Sequence, residues 1–161
     1  MPSQLPESAR RVQQALDRAG LAFRVVEMPA STRTAKEAAA AIGCTVAQIA
    51  KSILFRGAVS GQPVLVVASG VNRVNEQAAA ALAGEPLEKA SPDFVRAATG
   101  YAIGGVPPVG FPAPIATWID QDLLQFEEVW AAAGTPFAVF SLDPHHLSEI
   151  TGGAVARLAV T

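Results

Sequence analysis

The hydrophobic pattern of this chain changes period several times, and each change predicts an element. Leu5, Ala9, Val12 and Leu16 recur at helical spacing, with Arg10, Arg11, Gln14 and Arg18 on the other face, which predicts a helix over residues 6–19. Pro6 suits its first position and Gly20 the position after its end. A strand over 22–27 follows and ends at Pro29. Thr34-Ala35-Lys36-Glu37 is a capping-box pattern whose helix stops at Gly43, and Thr45-Val46-Ala47-Gln48 is a second, shorter one that delivers the chain into Lys51. The apolar runs 52–58 and 63–69 read as two centrally buried strands joined by a turn around Ser60-Gly61.

The second half alternates in the same way. An alanine-rich helix over 75–82 ends at Gly84, and Ser91 caps a helix over 92–98 that Gly100 stops. Strands are predicted over 101–104, 115–119, 137–142 and 154–160. Residues 120–133 read as a mixed connection with a helical turn or two, and Asp143-Pro144 caps a short helix over 144–150. Helices and strands interleave while several strands are joined by short turns, so the expected fold is α/β with a mixed sheet. No repeat, linker or low-complexity tail is evident, and 161 residues suit one domain, taken as 1–161.

Composition narrows the function classes. Hydrophobic residues make up 50% and charged residues 16%, which is globular and rather apolar. A net charge of -2 argues against a protein that coats nucleic acid non-specifically, but leaves room for a local basic patch meeting one RNA end. With Cys44 as its one cysteine the chain forms no intrachain disulfide, and with no signal-like N-terminus a reducing cytoplasm is expected. No apolar run reaches the ~18 residues of a membrane span.

Two features carry candidate chemistry. Lys51 is a lone charge opening the apolar run Ile49-Ala50-Lys51-Ser52-Ile53-Leu54-Phe55. It is either a snorkelling lysine at a sheet edge or an ammonium aimed into a pocket to hold a carbonyl, phosphate or carboxylate. The segment Tyr101-Ala102-Ile103-Gly104-Gly105-Val106-Pro107-Pro108-Val109-Gly110 is either a structural turn or a rigid loop whose bare amides hold an oxyanion. Ser69-Gly70-Val71-Asn72-Arg73 is a polar turn whose Asn72 and Arg73 either cap the next helix or line a pocket, and the hydroxyls of Ser31-Thr32-Arg33-Thr34 stand in the same position. His145 and His146 are adjacent and face different ways, so they do not address one metal, and no zinc spacing, Walker A or GxSxG pattern occurs. Cys44 defaults to an inert, buried thiol.

In this order, the Ala30–Ala39 segment, Gln48-Ile49-Ala50-Lys51-Ser52-Ile53-Leu54-Phe55, Ser69–Arg73 and Gly100–Gly110 resemble the YbaK/ProX family of aminoacyl-tRNA deacylases, which also occurs as the editing insertion of bacterial prolyl-tRNA synthetases. The resemblance spans essentially the whole chain. Its Ser-Thr-Arg-Thr-Ala-Lys-Glu-Ala-Ala run is most similar to free-standing members that clear tRNAs charged with serine, threonine or alanine. It implies a compact α/β domain with a mixed, partly barrel-like sheet flanked by helices. It also implies hydrolysis by water of the ester joining a mischarged amino acid to the terminal ribose, with no metal or other cofactor. Carried onto this chain, Lys51 matches the essential lysine, and Gly104 to Pro108 match the substrate loop, with the amides of Gly104 and Gly105 on the carbonyl. Met28, Thr32, Thr34, Ser69, Asn72, Arg73, Val106, Pro107 and Pro108 are the candidate substrate-binding residues. Met28 stands near a pocket aromatic of some relatives, Ala138 near a pocket carboxylate of others, and Phe111 where many carry a polar residue. These departures bear on which amino acid is preferred. The implied partner is the acceptor end of an aminoacyl-tRNA, with a synthetase or an elongation factor as a further candidate and neither membrane nor DNA. The competing readings are a non-catalytic aminoacyl-tRNA or synthetase-associated module and a general DNA-binding protein, the latter opposed by the charge and by the lack of a basic recognition helix.

Overall fold

The structure, a computed structural model, describes residues 5–160. Its elements run α1 (Glu7–Arg18), β1 (Val26–Glu27), α2 (Ala35–Ile42), β2 (Ile49–Gly57), β3 (Pro63–Ser69), α3 (Glu76–Ala83), β4 (Leu87–Lys89), α4 (Pro92–Thr99), β5 (Ala116–Asp120), β6 (Val129–Ala132), β7 (Ala138–Leu142), α5 (Leu147–Thr151) and β8 (Ala154–Ala156). Short 3-10 turns occupy Val46–Gln48, Gln121–Gln125 and Pro144–His146.

The helices begin and end where side chains satisfy their free backbone groups. The Thr34 hydroxyl accepts the Glu37 amide at 3.1 Å, Asn75 accepts that of Ala78 and Ser91 that of Phe94, each at 3.1 Å. The α1 stripe of Ala9, Val12 and Leu16 is fully buried, as its spacing requires.

All eight strands join one mixed sheet in the order β1-β7-β6-β2-β3-β5-β8, with β4 paired to β2 off this path. The β2–β3 hairpin is antiparallel and puts Lys51 opposite Ala68, while β6 lies parallel to β2 and β5 parallel to β3. One face of the hairpin sends Ala50, Leu54, Leu65 and Val67 into the main core with α1 and α4. The other sends Phe55, Val64, Val66 and Ala68 into a smaller core with Ala79 of α3 and Leu158. The result is the single α/β domain with a mixed sheet that interleaved elements and short turns predict.

Several expectations need correction, among them the strand over 154–160, which is confined to Ala154–Ala156. The strand expected over 22–27 shrinks to Val26–Glu27. Residues 101–104 form no strand: Gly104 has φ +97°, and the Gly105 amide bonds back to the Ala102 carbonyl at 3.1 Å, so the chain turns on itself. Residues 120–133 hold β6, whose inward Val129 and Ala131 alternate with Trp130 and Ala132. Three-residue β4 is not among the predicted strands. Lys51 sits within β2, which begins at Ile49, rather than just ahead of the strand expected over 52–58.

Candidate active site

The site is built on a break in the sheet. On one edge of β2, pairing with β6 ends at Ala50 and pairing with β4 begins at Phe55. The Gly57 amide donates to Gln62 and the Ile49 carbonyl accepts from Gly70, so odd-numbered β2 residues direct their backbone groups towards β3 and even-numbered ones towards the other edge. The N–H and C=O of Ser52 thus face a slot where no strand pairs with them. A cavity of about 480 Å³ occupies this slot and reaches both faces of the sheet.

The inner face of the cavity is formed by Ala50, Leu54, Val95, Val106 and Ala131, all buried, while the register pairs Val139 with Ala132 on the outer face. Buried Thr32 also lines the cavity, and its hydroxyl and that of Ser52 have no hydrogen-bond partner among the described residues. Across the slot lie Lys51, Ile53 and Phe55, flanked by Thr34 at the cap of α2, by Ala35 and Ala38 of α2, and by Arg73, Val74 and Glu76 before and in α3. The register puts Lys89 beside Phe55 and Trp130 beside Ile49, so both lie on this outer face with Lys51.

Lys51 is half-buried, and its Nζ donates to the Gly70 carbonyl at 3.5 Å. Burial pushes its pKa down, and the negative charge of Asp120 opposes that shift. Asp120 is 1% exposed and accepts hydrogen bonds from the Ser69 amide (3.1 Å), the Asn72 side-chain amide (2.8 Å) and the Asp122 amide (2.9 Å). A fixed, desolvated carboxylate therefore lies behind the ammonium.

At the cavity mouth Gly104 takes a positive φ, and a Cβ there would fall 2.7 Å from Cγ of Arg33. Its amide has no acceptor among the described residues. Gly105 differs: its amide is engaged by Ala102, and a Cβ would lie 2.9 Å from the Thr135 nitrogen. Gly105→Ala is accordingly expected to lower stability by about 1–3 kcal/mol through backbone overpacking. Gly104→Ala meets only a flexible side chain besides its φ cost of about 1–2 kcal/mol. Thermal melts of the two variants check the contrast, with Gly105→Ala expected to melt earlier than Gly104→Ala.

The cavity gathers Lys51, Gly104, Thr32, Thr34, Arg73 and Val106. The other candidates lie elsewhere. Ser69 donates its hydroxyl to Ala47 at 2.7 Å, and Asn72 bridges Asp120 and Asp122 at 2.8 Å each, so both hold the loop under Lys51. The Met28 amide tethers β1 to Phe137 at 2.7 Å, and neither Met28 nor Ala138 lines the cavity. Pro107 is buried outside it, and Pro108 joins Phe111 and Ile150 in a separate groove. His145 contacts Asp143 at 2.8 Å on the surface, and His146 contacts Glu149 at 3.3 Å. Burial raises the Cys44 pKa, as suits an inert thiol. No group of three or more potential metal ligands occurs among the described residues. Sequence reasoning missed Arg33, Trp130 and Asp120. Period-two alternation through Val129–Ala132 was the available signal for Trp130.

The sequence profile of the aminoacyl-tRNA editing domain matches residues 29–150, which hold Lys51, Arg33, Gly104 and Asp120 alike. The chain belongs to this family. The editing domain is 34% identical over 127 residues to the uncharacterised protein YwhH of Bacillus subtilis (strain 168), covering 79% of this chain and 80% of that one. It is 23% identical over 125 residues to EbsC of Enterococcus faecalis (strain ATCC 700802 / V583), a candidate Cys-tRNA(Pro)/Cys-tRNA(Cys) deacylase, covering 78% and 76%. A crystal structure of a candidate trans-editing enzyme for prolyl tRNA synthetase superposes with a TM-score of 0.92 at 51% identity, covering 98% of this chain and 100% of that chain. The YbaK-like resemblance drawn from the Lys51 segment and the Gly/Pro loop is thereby borne out for family and fold. No described helix of the editing domain is long and apolar enough to cross a membrane.

Proposed function

We propose that this editing domain hydrolyses mischarged aminoacyl-tRNA carrying a small amino acid, with serine, threonine and alanine as the substrate class. The observation that carries this reading is the Lys51 ammonium in a cavity of about 480 Å³ whose inner wall is apolar, with the unengaged Gly104 amide in its lining. Water attacks the ester carbonyl carbon, and the carbonyl oxygen takes up negative charge. Lys51 and the Gly104 amide stabilise that charge, and the Val106–Pro108 segment keeps the loop rigid. The tetrahedral adduct then breaks its bond to the ribose oxygen, which takes a proton, and the free amino acid leaves. An ester is already activated, so positioning and electrostatics suffice without a side-chain nucleophile or a cofactor. Alanine and valine side chains on the inner wall support a small acyl group.

The acceptor end of the tRNA is the partner, with a synthetase or elongation factor as carrier, and the cytoplasm is where such a substrate is met. Incubation with a panel of tRNAs each charged with a different amino acid tests the reading. Release of serine, threonine or alanine in preference to bulkier residues is expected. Binding without release from any member overturns it in favour of a recognition module.

A further inference from the structure

The two faces of the cavity differ in chemistry. The inner one is apolar, formed by Leu54, Val95, Val106 and Ala131 of the main core. The outer one carries the cations Lys51, Arg73 and Lys89 against one acid, Glu76, and presents the indole of Trp130. Trp130 is partly exposed and packs against the small core of Ala38, Ala39 and Ile49. Register places it on the Lys51 face, one strand away.

We infer that Trp130 is the platform on which the terminal base of the tRNA stacks. The acyl group passes through the slot to the inner face, while the nucleotide stays on the outer one. This inference rests on the deacylase reading above and adds a binding residue to it. A nucleotide needs an aromatic plane for its base and cations for its phosphate. The outer face offers both and the inner face neither. The ester, which joins the two halves of the substrate, then lies in the slot between Lys51 and the unpaired Ser52 backbone.

Stacking on an aromatic side chain is worth about 5- to 100-fold in affinity per base. Trp130→Ala is therefore compared with the unaltered protein on two substrates, an aminoacyl-tRNA and the methyl ester of the same amino acid, which lacks a base. The KM preference for the tRNA substrate is expected to shrink about 5- to 100-fold, with Trp130→Phe restoring most of it. An equal loss on both substrates means that Trp130 only packs against α2, and that overturns the inference. A second measurement needs no turnover. In a Trp118→Phe protein, whose remaining indole is Trp130, adenosine monophosphate is expected to quench the fluorescence and ribose 5-phosphate to leave it unchanged. Absence of that quenching also overturns the inference. Quenching in a protein that cleaves no aminoacyl-tRNA keeps the base platform and overturns the deacylase reading alone.

Discussion

Replacement of Lys51 by methionine is expected to lower deacylation by about 10²–10³-fold or more, the scale of losing one preorganised donor to an oxyanion, while the protein melts no earlier than before. The second half of this expectation follows from the sign of the pKa shift. Burial lowers the Lys51 pKa below its ordinary value, and this outweighs the pull of Asp120 in the other direction. The unfolded chain therefore binds the proton more tightly than the folded one, and the charged lysine works against folding at neutral pH. That cost fades as pH rises from the lowered folded pKa towards the unfolded value. Methionine, similar in length and uncharged, removes the cost and leaves the three hydrogen bonds of Asp120 in place. The same shift governs activity: an ammonium that must stay charged loses its effect as pH rises through its lowered pKa, at a lower pH than for an ordinary lysine. Deacylation rates across the alkaline range, with thermal melts of both proteins at neutral pH, check all of this. Full activity of the methionine variant would sink the proposed role. An early melt would mean that attraction to Asp120 outweighs burial.

Local rules carried much of the fold into the sequence. Thr34 and Ser91 cap the helices that their positions predict, because an N-cap needs only a side-chain oxygen three residues before an amide, and Asn75, expected as the first residue of its helix, is the cap instead. The hairpin was legible because two apolar runs flank a short polar turn. The misses share a different cause. β4 is three residues long and pairs with β2 about thirty positions earlier, so nothing local distinguishes Leu87–Lys89 from a loop. The apolar Tyr101–Gly104 run resembles a strand, but the Tyr101 hydroxyl bonds to the Gly110 carbonyl at 3.0 Å and closes the segment into a loop. In the site, Lys51 and Gly104 stood out by residue type, a lone charge and a glycine. Asn72 and Ser69 were read as substrate contacts because polar side chains in a turn are equally fit to hold another loop. Which of these they do depends on Asp120, nearly 50 residues further along the chain. The slot itself was illegible, since it exists only where two partners of β2 fail to meet.

Asp120→Ala is expected to cost about 3 kcal/mol or more, since one buried acceptor serves three donors and each unpaired buried group is worth about 1–3 kcal/mol. The Ser69 amide lies in the buried end of β3, so it bears most of the cost. A melt lowered by roughly 6–12 °C corresponds to that loss in a chain of this size. Asn72 would be released with it, freeing the turn whose Gly70 carbonyl receives the Lys51 ammonium. Asp120→Asn separates this structural effect from electrostatics. It keeps the shape and one acceptor oxygen but removes the charge that holds the Lys51 pKa up against burial. The Lys51 pKa falls further, so the alkaline limb of the rate profile is expected to move to lower pH. A purely structural Asp120 would lower the rate at every pH and leave that limb where it was. A limb that stays put in Asp120→Asn therefore removes Asp120 from the electrostatics of the site and leaves it as an anchor for the Ser69–Asn72 turn.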